Sequence, residues 1–481
     1  MTNPSGHTKN ASKHTVSNLV ANVVPLIVAL VTIPLYLSYI GEERFGVFAI
    51  IMAFLTYFSF MDVGLGRAVS RRIAQLHEAT DLERSDVLWT TILSSIVLGV
   101  IAGLLLWVCA GYLVGTQVEI TPEVRLEAQR AVAYVALSFP LLLPVASLIG
   151  ALHARYHYKQ ANNTLLISNS LCQVIPLLIA YMGWIDVSIL VLATLGIKLV
   201  SSLILMKLCH SLIPLVATPF FSKKEFLGMV NYGGWISLVG MVAPLLTTID
   251  RVVIAWISGA RFVTYYVVPY DLVSKVMVIS GSLSSALFPR LVSAQPEEAV
   301  ELSISGTRTL MSIMTPVIIM SVALIGVFLE LWVGPSIAEK AKHIPEVLLL
   351  GLWVNALVVP TYIRHLARLN PRTILIIFLI EIPIYLGALI LGLEYFGILG
   401  AAFAWTFRVV LDTLIILKVN SVLKVIIRDN LSSTVLILLA FGMYYIGFDL
   451  IAAVMISMIL VLTSCWIDRH VLLRTYQEIM E

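Results

Sequence analysis

Long runs of apolar residues recur from one end of the chain to the other, separated by short polar segments. Each run is about 20 residues long, which is the length of α-helix that crosses the hydrocarbon core of a bilayer. The pattern predicts fourteen membrane-spanning helices, numbered here as spans 1 to 14. Their predicted limits are 17–40, 44–66, 87–115, 129–153, 163–183, 185–208, 227–258, 262–289, 304–333, 344–367, 371–393, 395–419, 430–447 and 449–467.

Composition agrees with a membrane protein. The 481 residues are 59% hydrophobic and only 12% charged, and the mean hydropathy is +0.96, whereas soluble domains carry about 25% charged residues. The predicted fold is therefore an all-α polytopic membrane protein. The sequence has neither a soluble catalytic domain nor a Gly-rich phosphate loop, which argues against an ATP-driven motor.

The placement of lysine and arginine predicts the orientation of the spans. Of the 31 basic residues, 21 lie in the two tails, in loops after even-numbered spans or at the adjoining helix ends. The opposite side holds only Arg44, Arg125, Arg130, Arg261, Lys340 and Lys342. By the positive-inside rule the first side is cytoplasmic, and so are both termini.

The two halves of the chain repeat each other. The segment YIGEERFGVFAII (39–51) aligns without gaps to WISGARFVTYYVV (256–268) at an offset of 217 residues. Parallel repeats of this kind occur in transporters, where the substrate path lies between the halves. The repeat predicts a cytoplasmic tail at 1–16, an N-lobe of spans 1–6 at 17–209, a cytoplasmic linker at 210–226, a C-lobe of spans 7–12 at 227–419, two further helices at 430–467 and a cytoplasmic tail at 468–481.

Several ionisable residues lie inside predicted spans, where a charge costs about 2.5–3.5 kcal/mol on insertion scales. The bases are Lys198, Arg251, Lys275 and Arg408, and the acids are Asp62, Asp250, Asp271, Glu381 and Asp412. Such residues need a partner, water or a function.

Helix geometry suggests partners around the hairpin of spans 7 and 8. Asp250 and Arg251 are adjacent and project about 100° apart, so their side chains do not face each other. Residues equidistant from the turn near 259–261 lie level, which brings Arg251 beside Asp271. Asp271 and Lys275 stand four residues apart on one helix face, so all four residues are predicted to form one charged cluster.

The same arithmetic applies to two other hairpins. It places Glu381 of span 11 level with Arg408 of span 12, and Asp412 follows Arg408 by one helical turn. For Lys198 the level position across spans 5 and 6 is 171–173, where there is no acid. Two interpretations remain open: closed salt bridges between helices, or a hydrated cavity whose bases receive an anionic substrate. No metal-ligand, cofactor or nucleophile pattern is evident, so we expect no enzyme activity and no cofactor.

A resemblance to a known family rests on five segments spread over most of residues 15–420. These are IPLYLSYIGEERFGVFA in spans 1 and 2, FMDVGLGRAVSRRIAQ (60–75), TIDRVVIAWISG in span 7, LFPRLVSA after span 8 and AWTFRVVLD in span 12. In this order they resemble the Wzx-type polysaccharide flippases of the multidrug/oligosaccharidyl-lipid/polysaccharide (MOP) superfamily. The resemblance implies two six-helix lobes around a central cavity, working by alternating access.

The resemblance also implies a substrate and cavity residues. The implied substrate is an anionic oligosaccharide on undecaprenyl diphosphate, moved from the cytoplasmic to the periplasmic leaflet of the bacterial cytoplasmic membrane. Matching motifs assign Asp250, Arg251 and Arg408 to the cavity, and more loosely Asp62 and Arg67. Lys198, Lys275, Asp271 and Glu381 are assigned from depth and spacing alone, with Glu381 as the candidate site for a coupling H⁺ or Na⁺.

The expected partners follow from the same family. They are membrane lipid, the lipid-linked sugar, and polysaccharide polymerase and chain-length proteins; no nucleic acid is expected. The alternatives within the superfamily are a lipid II flippase and a MATE-type drug exporter. A membrane-embedded glycan transferase or ligase is the alternative from another class.

Overall fold

All regular structure in the described residues is helical. The computed structural model describes residues 5–58, 65–76, 80–213, 219–368, 371–446, 449–471 and 473, and describes side chains from residue 27 onward except at 58, 67, 229–237 and 371. The α-helices are α1 (Ser5–Phe58), α2 (Leu65–Gln75), α3 (Asp81–Tyr112), α4 (Pro122–Leu142), α5 (Pro144–Ala154), α6 (Tyr158–Tyr181), α7 (Val187–Leu212), α8 (Lys223–Leu245), α9 (Ile249–Ser258), α10 (Ala260–Ser274), α11 (Met277–Ser293), α12 (Pro296–Val333), α13 (Pro335–Lys340), α14 (Ile344–Arg368), α15 (Pro371–Phe396), α16 (Ile398–Val419), α17 (Leu423–Asp429), α18 (Leu431–Ile446) and α19 (Leu450–Ile467).

Each predicted span coincides with a helix or with consecutive helices, so the all-α polytopic fold is confirmed. Within the described residues, 10 helices are long and apolar enough to cross a membrane, or up to 12 if each of two bent pairs is one span. Spans 1 and 2 lie together in α1, whose backbone leaves the helical conformation at Gly41 (φ 77°, ψ 171°). The matching turn between spans 7 and 8 is Gly259 (φ 96°, ψ 160°), one position out of register with the predicted offset.

Three spans are interrupted, and prolines explain the interruptions. Span 4 breaks between α4 and α5 at Pro144, because proline lacks the N–H that would continue the helical hydrogen bonds. Span 7 breaks after Pro244, and Thr247 and Thr248 donate their hydroxyls to the Pro244 carbonyl at 3.0 and 2.9 Å. Span 8 bends by 44° between α10 and α11, a turn after Pro269.

The first compact unit extends to Thr264. Within it α2 packs on α5, α3 on α4, and α7 on both α4 and α6. One core cluster includes Val69, Leu88, Leu148 and Leu205, none of which is exposed. The α2–α5 crossing is so close that a Cβ at Gly150 would lie 2.0 Å from the Gly66 carbonyl oxygen.

The second compact unit begins at Tyr265. Its centre is α14, which packs on α11, α12 and α16, while α15 packs on α16. The C-terminal helices α18 and α19 both pack against α12. The two helices beyond the predicted repeat are therefore part of this unit.

The boundary between the compact units differs from the predicted lobe boundary at 210–226. The segment α8–α9 belongs to the first unit, because contacts described below join both of its ends to earlier helices. The division into two six-helix lobes remains a prediction about the repeat.

Candidate functional site

The break in span 7 explains part of the acid–base pair in TTIDRVV. Asp250 is completely buried in the first turn of α9, and its carboxylate accepts the backbone N–H of Arg251 at 2.8 Å. Free amides and the helix dipole favour a negative charge at such a helix start. Asp250 thus has a structural contribution at the new helix terminus, and the half-buried Arg251 side chain follows it.

The other half of the predicted cluster differs locally from the prediction. Asp271 lies in α10, but α10 ends at Ser274 and Lys275 lies in the bend before α11. The amide of Lys275 donates to the Leu272 carbonyl at 3.2 Å, a tighter turn than an α-helix. The two residues are therefore not a regular pair on one helical face. Arg251 and Lys275 belong to different compact units, so the four-residue cluster remains a prediction.

The hairpin of α15 and α16 brings Glu381, Arg408 and Asp412 together. They are 0%, 8% and 8% exposed, and Arg408 acts electrostatically on both acids. No ion pair closes on Arg408 in the described residues, and its Nε has no hydrogen-bond partner there. Its guanidinium carbon instead lies 5.7 Å from the ring centre of Tyr385 and 6.0 Å from that of Trp405.

The two carboxyl groups of this trio are in hydrogen-bonding contact with each other. Two ionised carboxylates have no hydrogen to donate, so the contact requires one shared proton. The turn explains the pairing, because α15 and α16 join at Gly397, slightly later than predicted. The position level with Glu381 moves from Arg408 towards Asp412.

A row of aromatic rings leads to this trio within the second unit. Tyr266 stacks on Tyr270, and Tyr270 meets Trp405 edge-on, both with ring centres 5.8 Å apart. Tyr266 is completely buried, so it does not belong to an interfacial aromatic belt. Arg408 therefore lies against π faces that stabilise a cation without neutralising it.

Lys198 lies in the first unit, on α7. It acts electrostatically on Cys172 of α6, which is the level position predicted across that hairpin. Among the described residues Lys198 forms no ion pair, and it is half-buried. Nearby, Tyr36 of α1 donates its hydroxyl to the Gln173 carbonyl at 2.8 Å. The cation therefore lies beside a thiol and close to a phenol.

Two assigned residues fall outside the description. Asp62 lies in the segment 59–64, which the structure does not describe, and only the backbone of Arg67 is described. Of the assigned residues, the structure brings together Glu381 and Arg408, and Arg251 meets Asp250 through its backbone amide.

The sequence analysis did not identify a set of contacts between the two repeat turns. Arg261 pairs with Glu42 at 2.6 Å, and Thr264 donates its hydroxyl to the Glu42 carbonyl at 2.6 Å. Gly46 packs so closely that a Cβ there would lie 2.0 Å from the Ala260 carbonyl oxygen. The repeat itself was the available signal, since both turns carry a glycine and an arginine.

The opposite end of the first unit has its own contacts. Arg72 of α2 makes two hydrogen bonds to Glu225 of α8, at 2.7 and 2.8 Å. The amide of Ser222 donates to Thr90 at 3.0 Å. The segment α8–α9 is therefore held at both ends by helices of the first unit.

Comparisons with known proteins give the family. The model of the family described as "Polysaccharide biosynthesis protein" matches residues 11–295, which is more than half of the chain. The Shigella flexneri protein described as "Putative O-antigen transporter" is 26% identical over 405 residues, covering 84% of this chain and 96% of that protein.

Solved structures show the same fold. The "Lipid II flippase MurJ, inward closed conformation" is 15% identical and superposes with a TM-score of 0.74, covering 96% of this chain and 99% of that one. An inward-facing "multidrug resistance MATE family transporter of the MOP superfamily" is 15% identical with a TM-score of 0.71, covering 86% and 99%. The resemblance to the Wzx-type proteins of this superfamily is confirmed, and the chain belongs to the polysaccharide biosynthesis protein family, as an integral membrane protein with the fold of the MOP transporters.

Proposed function

We propose that the protein moves a short oligosaccharide on undecaprenyl diphosphate from the cytoplasmic to the periplasmic leaflet. The proposal includes residence in the bacterial cytoplasmic membrane with both termini cytoplasmic, as the basic excess predicts. The transport class is supported by the family match and by the relative described as an O-antigen transporter. The direction and the lipid carrier are our inference.

One observation carries the proposal. Lys198 and Arg408 are cations within the spans, one in each compact unit, and neither is closed into an ion pair within the described residues. A diphosphate is an anion that does not cross hydrocarbon unaided, and it needs fixed cations away from bulk water. The sugar requires a hydrated interior, whereas the polyprenyl tail can remain in the lipid.

The Glu381–Asp412 pair is the proposed coupling site. Its shared proton makes it a group that can gain or lose H⁺ beside the cation Arg408. Because the sequence contains no nucleotide-binding loop, an ion gradient or consumption of the flipped product has to drive net transport. Both sources remain compatible with this site.

The contact between the two repeat turns is the proposed closed gate at the periplasmic end. Alternating access requires that Glu42 and Arg261 separate when the cavity opens outward. The Arg72–Glu225 pair is the proposed counterpart at the cytoplasmic end. Each contact has to break in one half of the cycle.

The deciding experiment reconstitutes purified protein in liposomes with a fluorescent sugar on undecaprenyl diphosphate. We expect translocation without covalent change, and loss of translocation in Arg251→Ala and Arg408→Ala at normal protein levels. The exposed base Lys159 provides the matched control, since Lys159→Ala should transport normally. A new covalent product would instead identify a transferase, and export of organic cations alone would identify a drug exporter.

Orientation is tested separately in a cysteine-free background. Tyr156 and Met182 are 81% and 73% exposed and lie at opposite ends of α6. A membrane-impermeant thiol reagent applied to intact cells should label Met182→Cys and leave Tyr156→Cys unmodified. The reverse pattern contradicts the proposed orientation.

A further inference from the structure

A second buried acid lies far along the chain from the Glu381–Asp412 pair. Glu346 is in the first turn of α14 and is 1% exposed. Its Oε2 has no hydrogen-bond partner among the described residues. An ionised carboxylate with an unsatisfied oxygen is costly in a membrane helix, so this side chain needs either a proton or a function that requires its charge.

The Glu346 carboxyl group is linked to a phenol of another helix. Tyr444 of α18 is hydrogen-bonded to it, and the phenol oxygen lies 3.1 Å from Nδ1 of His343. The imidazole and phenol rings are nearly perpendicular, with centres 5.7 Å apart. Three titratable groups thus form a continuous chain from a loop residue to a buried carboxyl group.

His343 is held in an unusual backbone conformation. Its φ is 67°, in the left-handed region that residues other than glycine rarely adopt. The ring stacks on Tyr445 with centres 5.9 Å apart. Backbone strain persists only where the surroundings enforce it, and it is concentrated at functional sites. Here the conformation directs the imidazole at Tyr444.

The chain of groups reaches solvent at the histidine. His343 is partly exposed and the preceding Lys342 is exposed. Burial, and then the Lys342 ammonium, lower the pKa of His343 below its ordinary value. The imidazole is therefore neutral at neutral pH and is charged only transiently, as a residue that passes protons on should be.

We propose that His343, Tyr444 and Glu346 form a proton-binding relay, in which Glu346 takes up a proton from the periplasmic solution. The site is assigned from the linked contacts and from burial of the acceptor. It relies on the orientation proposed above, which places the α13–α14 loop outside, and not on the identity of the transported substrate.

The transfer is balanced along the two hydrogen bonds. The imidazolium Nδ1–H bond breaks as the Tyr444 oxygen gains that proton, and the original Tyr444 O–H bond breaks as a Glu346 oxygen gains its proton. Charge moves from imidazolium plus carboxylate to two neutral groups. Release follows the same steps in reverse.

Four groups set the electrostatics of the relay. Lys342 and His343 precede α14, while Tyr444 and Tyr445 come from α18. Lys342 favours the ionised form of Glu346, and burial favours the protonated form. Protonation weakens the carboxyl group as an acceptor for Tyr444, so it loosens α18 from α14. Because α18 and α19 also pack on α12, the relay connects external pH to the position of the C-terminal helices.

Infrared difference spectroscopy during a pH titration tests the relay on the full-length protein in liposomes. Protonation of Glu346 should add a carboxylic acid C=O band that is lost in Glu346→Gln. The exposed acid Glu339, close by in sequence, supplies the matched control, and Glu339→Gln should keep the band. If the wild type and Glu346→Gln give the same spectrum, Glu346 does not titrate and the proposal is wrong.

The role of Tyr444 is tested by the rate of proton uptake after a pH jump. Removing the hydroxyl in Tyr444→Phe should slow the appearance of the band by about tenfold or more, because a positioned proton carrier is lost. Tyr445→Phe removes a neighbouring hydroxyl and should keep the wild-type rate. Equal rates in both variants overturn the relay, even if Glu346→Gln fails to fold. Neither measurement needs substrate, so failure of the transport assay and failure of the relay are distinguishable.

Discussion

Replacing Gly46 with alanine tests whether the two repeat turns close the protein at one end. An added Cβ would lie 2.0 Å from the Ala260 oxygen, 2.9 Å from its carbonyl carbon and 3.1 Å from the Thr264 hydroxyl, whereas ordinary contacts begin at 3.4 Å. The nearest atoms are backbone, so no rotamer change relieves the clash. The turns have to separate by more than 1 Å.

The size of the effect follows from this overlap. Inserting a methyl group into a packed contact typically costs about 1–3 kcal/mol. If the closed arrangement bears that cost and the open arrangement does not, the equilibrium between them shifts by about 5- to 150-fold towards the open form. Gly46→Ala should therefore transport poorly, because the cycle cannot readily pass through the closed state.

Cross-linking measures the shift directly. Glu42→Cys and Arg261→Cys are introduced together into a protein lacking its native cysteines, and the rate of bridging by a short bifunctional reagent is followed. Adding Gly46→Ala should lower that rate by a factor in the predicted range. Both backgrounds lack the Glu42–Arg261 pair, so the difference reports only the added methyl group.

Gly111 provides the control, because a Cβ there meets nothing within 4 Å. Gly111→Ala should cross-link at the rate of the parent. If Gly46→Ala also cross-links at that rate while remaining folded, the turns tolerate the methyl group and the close approach is not needed for closure.

Three further perturbations probe the ion pairs and the unpaired lysine. Glu42→Arg or Arg261→Glu alone should favour the open form, measured by thiol labelling, and the two together should restore closure; the effect should be below about 1 kcal/mol, since Arg261 is 60% exposed. Lys198→Ala should reduce transport without reducing the amount of protein in the membrane, and unchanged transport would remove Lys198 from the site. The Arg72 guanidinium lowers the pKa of Glu225 below 4.5, so that pair should stabilise the unit above pH 4.5 and lose its contribution only as the pH falls through the lowered pKa. Thermal unfolding of Glu225→Gln should accordingly converge with wild type in acid and not at neutral pH.

Positions across regular hairpins could be predicted from the sequence. The α6–α7 hairpin has a short turn, and counting from it placed Lys198 level with 171–173, where the structure has Cys172. Counting across α15 and α16 found the right neighbourhood for Glu381. A small error in the turn position, at Gly397, exchanged Asp412 for Arg408 as the direct contact.

Contacts that depend on a helix break or on distant packing could not be predicted. Counting along span 8 assumed a continuous helix, but the bend at 275–276 separates Lys275 from the face of Asp271. Glu346 is near the start of a span, where an acid attracts no attention from the sequence alone. Its relation to Tyr444 depends on how α18 packs in the second unit, and no local pattern encodes that packing.

The Glu381–Asp412 pair allows a final prediction about the sign of ion coupling. With one shared proton, Glu381, Asp412 and Arg408 together carry no net charge, and a second proton would leave Arg408 uncompensated. Binding linkage is reciprocal, so an anionic diphosphate near Arg408 should bind more tightly when the pair is fully protonated. Glu381→Gln mimics that state and should tighten binding of undecaprenyl diphosphate by about 5- to 150-fold, measured by calorimetry at constant pH. Direct electrostatics at this pair therefore favour moving the proton together with the anion, and exchange of H⁺ for substrate would need a conformational mechanism. Weaker binding in Glu381→Gln would contradict an anion site at Arg408.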